Sequence, residues 1–290
     1  MKTLLEAVPP ELHRGPAAVD AVVAHVAAVH ADFPLDGVNI PEIHEEPSRS
    51  SKGERRKPFA PRIAPRELAY VIQEQVGVPC MINRVVVTTP ADQLLNWANE
   101  TWERYGINQF VLVGGGLSQQ TYAGPSVVQA NQLLREDAMI DDLRIGNICI
   151  PSRDDEVTRL REKTASGADF FTTQILYEAE DLQALLIELG ETPGTTPEDL
   201  WVALCPARTR HNIRFLLWLG VNIPDALEAW LIEAPDEVLE RSLAQIKRVW
   251  QSLNQDRPAH TQPALGINLA PIGAIPTDIT VALAKELAAI

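Results

Sequence analysis

A single (β/α)₈ barrel, the TIM-barrel architecture, is the fold that the sequence predicts, and three observations lead to it. Short apolar runs alternate with longer helical stretches, which indicates parallel strands joined by crossover helices. Eight such strands can be counted, each followed by a helix. The length of 290 residues suits one barrel of ~250 residues as well as two domains of ~150. The strand count favours a closed barrel over an open doubly wound sheet, so we predict one domain over residues 1–290.

The predicted strands are short and rich in β-branched or aromatic residues, and they lie at about 4–6, 37–40, 79–87, 110–113, 144–150, 170–176, 201–204 and 264–269. The third helix is predicted to start with Thr89 as its N-cap and Pro90 at its first position. Extra helices are expected between the seventh and eighth strands, at about 224–255. An extended loop is expected at about 44–64, between strand two and helix two.

Composition narrows the class of protein. The apolar fraction of 46% and the charged fraction of 22% are typical of a globular domain with one sizeable core. The net charge of -14 argues against nucleic acid as the main partner, because an acidic chain repels phosphates. No apolar run reaches the ~18 residues of a membrane span, and the N-terminus lacks a secretory signal. We expect a cytoplasmic protein that binds small molecules, either as a monomer or as a homo-oligomer.

Neither the cysteines nor the histidines are spaced like metal ligands. Cys80, Cys149 and Cys205 are far apart, so we interpret them as plain buried thiols. His44 and His211 fall near the predicted catalytic face, but neither has a second histidine at ligand spacing, and no metal is expected.

One segment departs from the acidic character of the chain. Residues 49–66 contain seven basic side chains and one acid. In a barrel this segment belongs to a loop on the catalytic face. It could hold an anionic ligand, or it could be a mobile solvated loop.

The catalytic residues of a barrel lie where the strands end. Strand one ends at Glu6, between apolar neighbours, and partial desolvation would raise its pKa and suit a general acid. It could equally be an ordinary glutamate beside a frayed terminus. Gln174 is a polar amide in an apolar strand, so it either bonds a ligand or belongs to an internal network.

Other strand ends supply further candidates. Gly114, Gly115 and Gly116 follow strand four, where backbone N–H groups could approach a ligand, although a tight loop explains them too. We assign Asn39 and Glu42, at the end of strand two, to the substrate. Asn83, in strand three, and Arg153, after strand five, are assigned to a cofactor.

Several segments together resemble the methylenetetrahydrofolate reductase family, in the family's order between residues 5 and about 230. They are Leu5-Glu6-Ala7-Val8-Pro9-Pro10, Thr89-Pro90-Ala91-Asp92-Gln93-Leu94, Gly106-Ile107-Asn108, the stretch from Lys163 to Gln174, Cys205-Pro206 and Leu219-Gly220-Val221-Asn222-Ile223-Pro224. The family fold is a (β/α)₈ barrel. Its activity in one-carbon metabolism and methionine biosynthesis is reduction of 5,10-methylenetetrahydrofolate to 5-methyltetrahydrofolate, with NAD(P)H as donor and FAD as carrier.

The resemblance implies roles for four residues. Glu6 matches the acid that opens the five-membered ring. Gln174 matches a pterin-binding glutamine, and Asn212 falls where the family has another folate-contacting amide. Lys163 matches a lysine near the flavin phosphates.

The departures from the family pattern fall on the flavin side. Gly114, Gly115 and Gly116 replace an Arg-Gly-Asp segment, the region of Asn83 replaces a histidine, and Glu162 replaces an arginine. These changes argue against FAD and favour direct transfer of hydride from NAD(P)H to the folate. The alternative hypothesis is a barrel that binds a pterin or one-carbon carrier as a methyl-transfer partner without reducing it.

Overall fold

The computed structural model describes residues 1–115, 122–255, 257 and 263–290. Eight parallel strands close a barrel in the order β1-β2-β3-β4-β5-β6-β7-β8, which confirms the predicted fold class. The strands are β1 Thr3–Glu6, β2 Gly37–Ile40, β3 Cys80–Val85, β4 Gln109–Val113, β5 Arg144–Cys149, β6 Phe170–Thr173, β7 Asp199–Leu204 and β8 Ala264–Leu269.

Helices surround the barrel. They are α1 Pro16–Asp32, α2 Pro65–Val76, α3 Ala91–Tyr105, α4 Val127–Asp137, α5 Glu156–Ala165, α6 Glu180–Glu191, α7 Arg210–Trp218, α8 Asp225–Glu233, α9 Val238–Asn254 and α10 Thr277–Ala288. The additional helices α8 and α9 stand between β7 and β8, in the region where extra helices were predicted.

The start of α3 differs from the prediction. The helix begins at Ala91, and Pro90 rather than Thr89 occupies the N-cap position. The Thr89 hydroxyl instead accepts a hydrogen bond from Arg84 Nη2 at 3.0 Å. Arg84, five residues earlier at the end of β3, therefore takes the oxygen that the sequence pattern assigned to capping.

The strand register decides which residues meet at the mouth of the barrel. Glu6 on β1 is paired with Asn39 on β2, and Leu5 is paired with Leu269 on β8. Side chains alternate between the two faces of a strand. Leu4 therefore fills the barrel interior with Met81, Val111, Phe170 and Trp201, and Glu6 lies above it on the same face.

The cysteines agree with the sequence analysis. Cys80, Cys149 and Cys205 are free and buried, as predicted. Among the described residues, no helix is long and apolar enough to cross a membrane.

Candidate functional site

Glu6 is a buried titratable group at the mouth of the barrel. One of its oxygens, Oε2, accepts a hydrogen bond from Asn39 Nδ2 at 3.0 Å and lies 3.5 Å from Asn268 Nδ2. Burial raises the pKa of Glu6 to about 7, although both amide contacts act to lower it. Desolvation dominates because the neutral amides offset only part of the cost of a buried charge. A carboxyl group with this pKa exchanges a proton readily near neutral pH.

The amides around Glu6 have acceptor capacity to spare. The Oδ1 atoms of Asn39, Asn83 and Asn268 are buried and have no hydrogen-bond partner among the described residues. Asn39 and Asn268 direct their N–H groups at Glu6, which turns their oxygens away from it. The floor of the mouth is therefore rich in unpaired acceptors.

A cavity of about 690 Å³ opens beside Glu6. This volume lies within the ~300–1,000 Å³ range of small-molecule sites. Its apolar wall comes from β1, α1, α7 and the segments after β6 and β8, and includes Leu5, Val22, Val26, Ile175, Phe215, Trp218, Leu219, Ile272 and Ile275. The rings of Phe215 and Trp218 are stacked, with centroids 5.6 Å apart and planes 8° from parallel. The cavity can therefore hold a flat apolar group next to an acid.

Three arginines line the same cavity: Arg14, Arg55 and Arg62. Burial lowers the pKa of Arg62, and the charges of Arg55 and Arg14 lower it further, while Glu11 acts in the opposite direction. Arg62 Nη2 lies 3.9 Å from the Glu11 carboxylate. Like charges gathered in this way favour an anionic ligand group, because an anion relieves their repulsion.

Glu42 lines the cavity, but residues of the protein already contact both its oxygens. Oε1 accepts from Arg84 Nη1 at 2.6 Å, and Oε2 accepts from the Val85 N–H at 2.7 Å and lies 3.2 Å from His44 Nε2. Burial raises the pKa of Glu42, yet His44, Arg84 and the Val85 N–H together bring it below its usual value. The hydrogen bond with Glu42 raises the pKa of His44, although burial acts to lower it. Glu42 is thus an ionised anchor for His44, which shares the cavity wall.

Gln174 and Asn212 use part of their hydrogen-bonding capacity within the protein. Gln174 Nε2 donates to the Gly220 carbonyl at 3.1 Å. Asn212 Oδ1 caps the start of α7 and accepts from the Thr209 N–H at 3.1 Å. The amide group of Asn212 lies beside Gly273, a cavity residue. Both side chains therefore hold loops near the mouth, and no described residue hydrogen-bonds Gln174 Oε1 or Asn212 Nδ2.

The glycines after β4 lie apart from this cavity. A Cβ on Gly115 would overlap the ring of Tyr122, so that ring packs against the glycine where any larger residue would displace it. Gly114 faces Val127 of α4. Gly116 lies outside the described residues.

Lys163 does not reach the mouth of the barrel. Its Nζ donates to the Ile148 carbonyl at 2.8 Å and lies 5.7 Å from the centroid of the Phe171 ring, between α5 and the sheet. Burial lowers the pKa of Lys163, although Glu156 opposes the shift.

Arg153 pairs with Glu156 at 3.5 Å beside a cavity of about 320 Å³. That cavity also contains the carboxylates of Asp154, Asp155, Asp181 and Glu188. These acids would repel a pyrophosphate. The described residues near Arg153, Lys163 and Gly115 therefore do not fit the phosphates of FAD.

The basic loop, residues 41–64, is docked on α7 rather than extended into solvent. The Arg49 N–H donates to the Trp218 carbonyl at 2.9 Å, and the Glu54 N–H donates to the Arg214 carbonyl at 3.0 Å. Gly53 packs so closely that a Cβ there would overlap the Trp218 backbone. The Arg55 guanidinium lies 5.1 Å from the centroid of the Trp218 ring. The loop forms part of the cavity wall. Its docked position favours a role in holding an anionic ligand over a loop that extends into solvent.

Sequence reasoning missed several residues of the cavity. Arg14 ends the short 3-10 turn Leu12–Arg14 and carries no motif, and His25 on α1 sits among alanines and valines. Arg55 and Arg62 belong to the basic run that the sequence did single out.

No group of three or more His, Cys, Asp or Glu side chains that could hold a metal occurs within residues 1–115, 122–255, 257 and 263–290.

No family model and no curated protein sequence matches the chain. Several solved structures share its fold, and three of them are described below. An uncharacterised protein from Clostridium thermocellum, described as binding two copies of 5-methyl-5,6,7,8-tetrahydrofolic acid, has a TM-score of 0.78 at 18% identity, over 99% of this chain and 94% of its own. A GH18 chitinase from Pseudoalteromonas aurantia has a TM-score of 0.55 at 13% identity, over 100% and 99% of the two chains.

The third is N-(5'-phosphoribosyl)anthranilate isomerase from Pyrococcus furiosus, with a TM-score of 0.51 at 10% identity over 100% of both chains. The three proteins differ in what they bind or do. At these identities the likeness establishes the barrel fold and leaves function to the site itself.

Proposed function

We propose that this protein binds a reduced folate in the cavity beside Glu6 and reduces 5,10-methylenetetrahydrofolate to 5-methyltetrahydrofolate, with a nicotinamide dinucleotide as donor. The observation that carries the proposal is Glu6 itself. It is a carboxyl group with a pKa of about 7, held at the mouth of a barrel beside an apolar cavity. An acid of this strength is what the ring-opening step requires.

The shape and charge of the cavity suit the rest of a folate. The pterin and benzoyl rings are flat and apolar on their faces, like the cavity wall formed by Phe215 and Trp218. The glutamate end is anionic, and Arg14, Arg55 and Arg62 supply cations in the same cavity. The Clostridium thermocellum protein, which shares the fold over 99% of this chain, is described as binding a reduced folate.

In the proposed reaction, protonated Glu6 gives its proton to the nitrogen that leaves the bridging carbon. The C–N bond breaks with its electron pair going to that nitrogen, and the carbon becomes an iminium carbon on the other nitrogen. Hydride from the nicotinamide adds to this carbon and completes the methyl group, leaving the oxidised nicotinamide. Asn39 and Asn268 hold the Glu6 carboxylate after it has lost its proton.

We propose direct transfer from the nicotinamide to the folate, without FAD. The support is the position of Lys163 behind the sheet and the acidic surroundings of Arg153. Both substrates must then be bound together, so the kinetics should be sequential.

A second candidate function is binding without reduction, as a partner in methyl transfer. The positions of Lys163 and Arg153 favour this candidate too, because the residues expected to hold an electron carrier do not gather at the cavity. This alternative needs the folate cavity but no donor site.

Two measurements test these proposals. Calorimetric titration with 5-methyltetrahydrofolate tests folate binding, and absence of binding would reject both candidates. Oxidation of NADH or NADPH in the presence of methylenetetrahydrofolate separates the reductase from the binder. A colourless preparation with sequential kinetics is expected, whereas a yellow protein with stoichiometric FAD or ping-pong kinetics would contradict the direct transfer.

A further inference from the structure

A second cavity, of about 360 Å³, is lined by other residues of the basic loop and of α7. Its lining consists of Lys52, Glu54, Arg56, Arg210, His211 and Arg214. Four permanently cationic side chains thus face one carboxylate, in a chain whose net charge is -14. Such a local excess of positive charge attracts anions.

The basic loop and α7 build this cavity together. The Glu54 N–H donates to the Arg214 carbonyl at 3.0 Å, and Arg214 Nη1 donates to the Lys52 carbonyl at 3.0 Å. Alternate loop residues face this cavity, whereas Arg55 lines the Glu6 cavity. The loop therefore presents cations to two cavities that share α7 as a wall.

The start of α7 adds to the positive potential. Arg210 and His211 are its first two residues, and the first N–H groups of a helix have no acceptor within the helix. The capping box of Thr209 and Asn212 satisfies the N–H of Asn212. His211 Nδ1 is buried and has no hydrogen-bond partner among the described residues, so the cavity wall carries an unpaired polar atom.

The cations differ in how far other residues neutralise them. Lys52 pairs with Asp225, Arg214 with Glu228 at 3.0 Å, and Arg56 with Glu54 at 3.5 Å. Arg210 makes no ion pair with any described residue. It is therefore the cation most available to a ligand.

We propose that this second cavity binds the clustered anionic oxygens of a ligand that also reaches the Glu6 cavity, in the first place the phosphates of the nicotinamide dinucleotide. The identification of the donor rests on the proposed function, whereas the anion site does not. The acidic cavity at Arg153 is the contrasting case, since its carboxylates disfavour phosphate. The same oxygen chemistry could come from additional glutamates on the folate, and the experiment separates these sources.

The test uses pyrophosphate and 2',5'-ADP as probes, titrated calorimetrically against the full chain at low ionic strength. Arg210→Glu should weaken binding of both probes by about tenfold or more, because a cation of the wall becomes an anion. The matched control is Arg159→Glu on the exposed surface of α5, which should leave binding unchanged. Failure of both probes to bind, or equal weakening by the two variants, would overturn the proposal.

Competition then identifies the source of the anion. Displacement of pyrophosphate by NADH or NADPH supports the dinucleotide, and displacement by γ-linked pentaglutamate alone assigns the cavity to the folate tail instead. Binding of 5-methyltetrahydrofolate is measured in parallel. If Arg210→Glu abolishes probe binding and changes the folate affinity by no more than about twofold, the anion site is independent of the folate cavity. If pyrophosphate binds and no folate does, the proposed function fails and the anion site stands.

Discussion

Glu6 Oε2 and Asn39 Nδ2 lie 3.0 Å apart on neighbouring strands whose register pairs these two residues. The amide lowers the pKa of the carboxyl group but does not undo the effect of burial. The pair therefore fixes the direction of the acid without fully stabilising its charge.

Replacing Glu6 by Gln should abolish most turnover and retain folate binding. Glutamine keeps the shape and can still accept from Asn39, but it cannot supply the proton. General acid catalysis contributes about 10²–10⁴-fold, so kcat should fall by that factor while the folate Kd changes little. The exposed Glu67→Gln on α2 is the control. A Glu6→Gln variant that keeps more than half of the wild-type rate would exclude Glu6 from the mechanism.

The same substitution should stabilise the fold above neutral pH. The folded-state pKa of Glu6 is raised to about 7 from 4.5, so the folded protein binds the extra proton, and stability falls as pH rises from about 4.5 to 7. The full cost above pH 7 is about 3 kcal/mol at most. Thermal unfolding of wild type and Glu6→Gln should therefore diverge at pH 8 and converge towards pH 4. A constant difference across this range would contradict the raised pKa.

Substitution of Gln174 by Leu should weaken folate binding. The change removes the hydrogen bond to the Gly220 carbonyl, as well as the amide oxygen proposed for the pterin. A loss of about 1–3 kcal/mol of binding free energy is expected, with little change in the melting temperature. Gln183→Leu is a matched control, because that amide donates to the Ser252 carbonyl at 2.9 Å on the outer helices. If Gln174→Leu lowers the melting temperature as much as Gln183→Leu does and leaves the folate affinity unchanged, Gln174 belongs to a structural network.

Arg14 should distinguish ligands that carry a negative tail. It lines the cavity with Arg55 and Arg62, so Arg14→Ala should weaken 5-methyltetrahydrofolate and leave a tail-less tetrahydropterin unaffected. The loss should be about 1–3 kcal/mol and should shrink with added salt, as expected for a charged contact. The control is Arg159→Ala on α5. Equal effects on the two ligands would show that the arginines do not bind the tail.

The docking of the basic loop can be tested at Gly53. A Cβ at this position would overlap the Trp218 backbone, so Gly53→Ala should detach the loop and lower ligand affinity. Proteolysis within residues 41–64 should accelerate in the same variant. Gly190→Ala on α6 is the control, since a Cβ there meets nothing within 4 Å. Unchanged proteolysis would show that the loop tolerates the methyl group.

The barrel could be predicted from sequence because each strand and helix carries its own periodic pattern. Glu6 could be predicted as well, since the end of a strand is a local feature. The direction of the Lys163 side chain could not be predicted, because the resemblance gave the position of Lys163 in the sequence but not the face of α5 on which it lies. Arg14 meets Arg55 and Arg62 only through tertiary structure, so no local pattern marks it.

The contact between Glu6 and Asn268 joins residues separated by 262 positions. During synthesis the acid leaves the ribosome well before its partner on β8. The electrostatic environment of Glu6 is therefore assembled only when β8 closes against β1. A growing chain carries the acid without its raised pKa until β8 is in place.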